Sequence, residues 1–289
     1  MNMTDRFLLR INCPGRNGLV AAVTGFLADQ DYLIPAHSQF DDIQTSQFFC
    51  RTECCKPESG LAPAELSNLS STSDECFEMD WKFIDLPIRH RTLILISRFD
   101  HCLNDLLSRK QASELSIDVT NVAFNHPDLG PLARLHQVPF EALPARQSKL
   151  AAETAQEERI RDLIERQGVD LVVLARYMQV LSDKLRQDLA GRYINIHHSF
   201  LSSLKGARPY HQAYKRGVKA IGAAAHDVTI DLDEGQIIDQ EVARVGHTVG
   251  SDQLLATGRN IENYTLSRAV KAHSEHRVFV NGYKTVVLK

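Results

Sequence analysis

The chain carries no surplus of positive charge, no long apolar run and no cysteine pair at metal-binding spacing, and each absence argues against a class of function. The formal net charge is −3 over 289 residues, so no general attraction draws the protein to nucleic acid or to an anionic membrane. The longest apolar runs, such as "DLVVLA" at 170–175, fall far short of the roughly 20 residues that a membrane-spanning helix needs. The start "MNMTDRFLLRIN" lacks the basic, apolar and small-residue segments of a signal peptide, and a cytoplasmic protein is expected. Six cysteines (Cys13, Cys50, Cys54, Cys55, Cys76, Cys102) are scattered, and neighbours Cys54 and Cys55 cannot easily chelate one ion. Reduced thiols and no metal are expected. No "GxSxG" nucleophile elbow occurs.

The composition, 43% hydrophobic and 24% charged, is that of an ordinary soluble protein, with room for about two domains. The first segment runs "RFLLRIN", "CPGRNG", "LVAAVTGFLADQ", which reads as strand, tight turn and helix. Leu19, Val20, Val23, Phe26 and Leu27 fall on one helical face. Strands "YLIPAHSQFDD" and "SQFFCRTE", a helix over "PAELSNLSSTSDECFEM" and a strand "DWKFIDL" complete a βαββαβ order over residues 1–86. Such a unit folds as a ferredoxin-like antiparallel sheet with two helices on one face. Residues 87–91 read as a linker. From 92 to 289 strands and helices alternate, implying a doubly wound, Rossmann-like α/β domain. Its strands include "TLILIS" (92–97), "DLVVLA" and "YINI", and a helix spans about 147–167 with Leu150, Ile160, Leu163 and Ile164 as its stripe and Gly168 as its cap.

Open α/β sheets bind ligands at the carboxyl ends of their strands. Asn195, His197 and His198 stand at such an end in "INIHHSFLSSLKGARPYHQAY", and Asp233 stands in the carboxylate-rich turn "DLDEG". An imidazole shuttles protons near neutral pH, a carboxylate polarises it, and an amide NH2 stabilises an oxyanion. Brought together, they suit attack on a carbonyl carbon without a metal. The residue types alone also fit a turn-forming Asp, an Asn capping a strand end and a hydrogen-bonded structural His.

Several separated stretches resemble the formyltetrahydrofolate deformylases: "CPGRNGLVAAV", "FFCRTE", "ARYMQVLS", "NIHHSFL", "GARPYHQAY", "GVKAIGAAAH" and "DLDEGQII". The resemblance covers nearly the whole chain, and it makes the N-terminal unit similar to an ACT regulatory domain. It implies hydrolysis of 10-formyltetrahydrofolate, with Asn195 holding the formyl oxygen and His197 and Asp233 positioning water and moving its protons. It implies a folate site at Met178, Gln179, Val180 and Leu181 and at the loop from Val228 and Thr229 to Asp233. Core packing is the alternative role for at least two of the first four. No cofactor is implied. An amino-acid effector near Asn12, Asn17 and Gly18 and a homo-oligomer, dimer or tetramer, follow from the ACT likeness. The chain departs from the family pattern at Ser203, at Gln236 and at Asp227, where an aromatic residue is usual.

The formyl group could also pass to an amine. Transferases with a phosphorylated acceptor cradle its phosphate on a glycine-rich turn after the first strand of this domain. Here the turn reads "SRFDHCLNDLL" (97–107), with no glycine, so water is the expected acceptor. His198, Lys205, Arg208 and His211 are expected to shape that side of the crevice. A formyltransferase to an unidentified amine and a non-catalytic folate or amino-acid sensor are the alternatives.

Overall fold

The computed structural model describes residues 6–57, 60–61, 65–66, 79–87, 89–124, 129–143, 149–197, 209–227 and 235–289. The chain forms two compact units, Met1–Ile88 together with His276–Lys289, and Arg89–Glu275.

In the first unit, β1 (Arg6–Pro14), β2 (Leu33–Asp42), β3 (Gln47–Cys55) and β4 (Asp80–Leu86) form an antiparallel sheet of order β2-β3-β1-β4. Helix α1 (Leu19–Asp29) connects β1 to β2. This order is consistent with an ACT-like fold. Phe7, Leu9, Ile11 and Cys13 alternate onto one face of β1 and pack with Leu19, Val23 and Leu27 of α1. Val20, expected on the same helical face, is exposed. Of the expected second helix only Glu65, Leu66 and Met79 are described; the first two are helical and Met79 is not.

The opposite face of the sheet is also apolar, with Leu8 and Phe49 fully buried. A C-terminal hairpin, β12 (Val278–Asn281) and β13 (Lys284–Val287), covers it. Phe279 packs edge-on against Phe49 at 5.6 Å, and the Arg10 guanidinium lies 4.2 Å from the Phe279 ring centre. The Arg10 Nη2 donates to the Val278 carbonyl at 2.7 Å. The sequence reading carried the second domain through to residue 289. The hairpin instead belongs with the first unit, because its apolar side chains close a second sheet face that helix α1 leaves open.

The second unit is built on a seven-stranded sheet of order β11-β10-β9-β8-β5-β6-β7. Its strands are β5 (His90–Ile96), β6 (Ile117–Phe124), β7 (Phe140–Ala142), β8 (Leu171–Leu174), β9 (Tyr193–His197), β10 (Ala220–Asp227) and β11 (Ile237–Arg244). His90 pairs with Ile117, so the strand begins inside the stretch 87–91 that was read as a linker. Leu93 to Ile96 and Leu171 to Leu174 are continuously buried, as central parallel strands require. The helices are α2 (His101–Gln111), α3 (Gly130–Leu135), α4 (Lys149–Gln167), α5 (Asp183–Asp188), α6 (Pro209–Arg216) and α7 (Ser251–Ser274). Ile160, Leu163 and Ile164 of α4 enter the core as expected, and Gly168 ends that helix at φ 54°. The strands from β9 to β11 pair antiparallel, which mixes a sheet expected to be parallel.

Asp42 is buried, with the Lys284 Nζ at 2.6 Å and the Asn281 Nδ2 at 2.7 Å. The hydrogen bond from Lys284 is the main cause that holds its carboxyl down to about 2. A carboxyl depressed in the folded state adds stability that is complete above its unfolded value and is lost as pH falls. The difference in melting temperature between the wild type and Lys284→Met should therefore shrink as pH is lowered from about 5 to about 2. A difference that stays constant over that range would contradict the anchoring role of the pair.

Candidate active site

Strand β9 places Ile194 and Ile196 in the core and leaves Asn195 and His197, on the other face, half-buried. In the parallel direction Asn195 pairs with Leu174 of β8, at the carboxyl end of that strand. On its other side Asn195 faces His226, and His197 faces Ala224. The amide and the imidazole therefore share one face at a strand end, beside a second imidazole.

The second imidazole, that of His226, orients the amide. His226 is 4% exposed at the end of a strand of small residues, and its Nδ1 lies 2.9 Å from the carbonyl oxygen of Asp227. A carbonyl oxygen only accepts, so Nδ1 carries a proton, and in the neutral ring Nε2 is then the acceptor. The Asn195 Nδ2 lies 3.4 Å from that Nε2. One amide hydrogen is thus directed at His226, which fixes which end of the amide is nitrogen and leaves its second N–H for a ligand. The sequence reading gave His226 no role. The signal was present as a lone imidazole closing the run "GAAAH", but its pairing with Asn195 is a matter of register.

Gly235, the glycine of "DLDEG", lies on the same peptide. A Cβ built there would sit 1.5 Å from the Asp227 carbonyl oxygen and 3.1 Å from the His226 Nδ1. The Asp227 amide donates to the Gln236 carbonyl at 3.0 Å, closing the β10–β11 connection at its base. Asp227 and Gln236, two of the departures from the family pattern, meet here through their main chains. Asp233, Val228, Thr229, His198, Ser203, Lys205 and Arg208 lie outside the described residues.

The segment 178–181 follows β8 and is pinned at both ends. The Met178 amide donates to the Ser97 Oγ at 2.9 Å, and the Ser182 amide donates to the Glu157 carboxylate at 2.5 Å. Ser182 also caps α5, accepting from the Leu185 amide at 3.3 Å. Leu181 is in the core, Gln179 is half-buried, and Met178 and Val180 are 54% and 59% exposed. Core packing was the alternative for at least two of the four, and it applies to Leu181 alone. Two exposed apolar side chains on a pinned loop offer a surface for a flat heterocycle.

Behind this loop lies a buried polar cluster that the sequence reading did not find. Glu262 of α7, 1% exposed, accepts from the Tyr210 hydroxyl at 2.5 Å and lies 2.8 Å from the His101 Nε2 and 3.4 Å from the Arg176 Nε. Burial alone would raise the Glu262 carboxyl, but His101, Arg176 and Tyr210 together bring it below its ordinary value. Burial beside this carboxylate pushes the Tyr210 hydroxyl far upward. His101, Cys102 and Glu262 form a group of possible metal ligands. Burial keeps the Cys102 thiol well above its usual range, and the Arg176 guanidinium already neutralises Glu262. The donor set does not suit a cation.

In the first unit, Asn12 is exposed on β1 and lines a cleft of about 100 Å³ with Arg10, Asp80, Lys82 and Phe279. Asn17 and Gly18 lie exposed in the turn before α1, with Gly18 at φ 93°. The three residues are not gathered in that one cleft.

Residues 90–270 match the family described as formyl transferase. A formyltetrahydrofolate deformylase from Corynebacterium sp. (strain P-1) is 46% identical over 293 residues, covering 100% of both chains. The crystal structure of a formyltetrahydrofolate deformylase from Pseudomonas putida KT2440 matches with a TM-score of 0.90 at 43% identity, over 98% of this chain and 100% of that one. Glycinamide ribonucleotide transformylase 1 from Symbiobacterium toebii matches with a TM-score of 0.63 at 27% identity, over 71% of this chain and 97% of its own.

Because Gly235 rests on the peptide that sets the His226 ring, Gly235→Ala should displace both that ring and the adjoining loop. A loss of about 100-fold in kcat is expected, the scale of an ångström-level misplacement. Unchanged kcat in the folded variant would show that the site tolerates this shift.

Proposed function

The chain belongs to the formyltetrahydrofolate deformylase family, and we propose on that premise that Asn195, His197 and Asp233 carry out its hydrolysis of 10-formyltetrahydrofolate to formate and tetrahydrofolate. The observation that carries this assignment is the oriented amide: Asn195 is held by His226 with an N–H left to donate, beside His197 on the same strand face.

The formyl oxygen accepts from the Asn195 Nδ2. As water attacks, charge gathers on that oxygen, and a donor already in place stabilises it without reorganising. His197, with Asp233, takes a proton from the attacking water and delivers one to N10. The bond from carbon to N10 breaks, and formate and tetrahydrofolate leave. Each step uses groups of the chain and water, so neither a metal nor an organic cofactor enters the proposal. The pterin docks on the pinned segment of Met178, Gln179, Val180 and Leu181 and against Val228 and Thr229, with His198 and Arg208 of the sequence that follows β9 as further contacts. Exposed His211 of α6 extends that side.

The ACT-like unit is proposed to take an amino-acid effector near Asn12, Asn17 and Gly18 and to pair across subunits as a dimer or tetramer. The cytoplasm is the proposed compartment. Cys13, Cys50, Cys54, Cys55 and Cys102 are buried free thiols, and among the described residues no helix is long and apolar enough to cross a membrane.

Purified protein given 10-formyltetrahydrofolate and no amine should release formate and tetrahydrofolate in equal amounts, and Asp233→Asn should release neither. Asn195→Ala should lower kcat about 100- to 1000-fold, the scale of one lost oxyanion donor, while folate affinity changes little. Folate binding with no formate from the wild type would favour the sensor reading instead.

A further inference from the structure

The buried cluster around Glu262 sits where an open α/β sheet ordinarily receives its ligand. The sheet's switch point lies between β5 and β8, since the chain leaves β5 toward β6 and returns on the other side through β8 to β9. At the carboxyl end of β5, Ser97 is buried, Phe99 is half-buried, and His101 opens helix α2. At the carboxyl end of β8, Arg176 follows Leu174, the residue that pairs with Asn195. The crevice beside the proposed site is therefore occupied by the chain's own side chains.

Arg176 stands out within it. The residue is 8% exposed and adopts φ 66°, a left-handed backbone that favours glycine. An arginine held there despite that strain is kept for its side chain. Its guanidinium lies 5.2 Å from the Phe99 ring centre and 3.4 Å from Glu262. Glu262 is clamped in turn by His101 and Tyr210. Gly258 of α7 makes room for that tyrosine, because a Cβ there would meet the Tyr210 ring at 2.2 Å. Four segments are thus shaped around one ion pair.

We propose that the Arg176–Glu262 pair, capped by Phe99, is a specificity plug that fills the switch-point end of the crevice and restricts the formyl acceptor to water. This inference rests on the hydrolase reading and explains why one product is formate. A primary amine would otherwise do the same chemistry. Its nitrogen would bond to the formyl carbon, the bond to N10 would break, the amine proton would pass to N10, and an N-formyl amine would leave with tetrahydrofolate. Such an acceptor needs space beside Asn195 that water does not.

The test compares the full-length wild type with Arg176→Gly, which also relieves the backbone strain, and with Phe99→Ala, which leaves the ion pair intact. Each receives 10-formyltetrahydrofolate with glycinamide or with 2-aminoethyl phosphate, and tetrahydrofolate, formate and the N-formyl amine are measured together. In the wild type formate should equal tetrahydrofolate with either amine. In Arg176→Gly tetrahydrofolate should exceed formate, and the fraction captured by glycinamide should rise at least about tenfold above the smallest fraction detectable in the wild type, the scale of discrimination that pocket shape provides. Phe99→Ala should give a smaller rise. Formate equal to tetrahydrofolate in both variants would overturn the plug. If Arg176→Gly fails to fold, as a melting curve would show, the absence of capture in Phe99→Ala overturns it alone. A wild type that yields no formate with or without amine would overturn the hydrolase reading, and the plug with it.

Discussion

Strand β10 runs antiparallel to β9 at the side of an otherwise parallel sheet, and the proposed chemistry depends on that reversal. A parallel neighbour would bring its own carboxyl end to the same edge as that of β9 and would be followed by a crossover helix. The antiparallel one sets His226 directly opposite Asn195 and sends its chain onward one residue later, into the connection that bears Asp233. The same reversal brings Gly235 back onto the Asp227 carbonyl, beside the His226 ring. An amide that is free to flip presents an oxygen or a nitrogen to the substrate. Tied to an imidazole whose own proton is committed to a carbonyl, it presents nitrogen.

Electrostatic economy distinguishes the two polar groupings of the second unit. Asn195 is held by its hydrogen bond to His226, and Asn195 and His197 are half-buried on one strand face. The Glu262 cluster buries a full charge and is stable because His101, Arg176 and Tyr210 all bear on it. Removing one partner from such a cluster leaves an uncompensated charge, which is far more costly than never having built it. A cluster of this kind serves shape and selectivity, whereas the strand-end group serves reaction.

The sequence revealed the parts of the fold that periodicity encodes. The β1–α1 face, the α4 stripe ending at Gly168 and the buried strands β5 and β8 all follow from spacing, since an apolar face must repeat with the period of its own element. The C-terminal hairpin was misplaced because "RVFVNGY" and "TVVLK" look alike whichever sheet they cover; only the exposed second face of β1 and β3 decides where Phe279 goes. Asn195 and His197 were legible as polar residues breaking a β-branched strand. His226, Glu262 and Tyr210 were not, because each acquires its meaning from a residue between 31 and 161 positions away. Arg176 was hidden for another reason: its left-handed backbone has no signature in a residue that is not glycine.

The central claim is that a water molecule, activated beside an oriented amide, becomes part of the formate. The most direct measurement is a reaction in water enriched in oxygen-18, with the released formate analysed by mass spectrometry. Attack by water on the formyl carbon predicts one heavy oxygen in each formate molecule, at the enrichment of the solvent. Formate without heavy oxygen would mean that the formyl group leaves by another route and would contradict the proposed roles of Asn195 and His197.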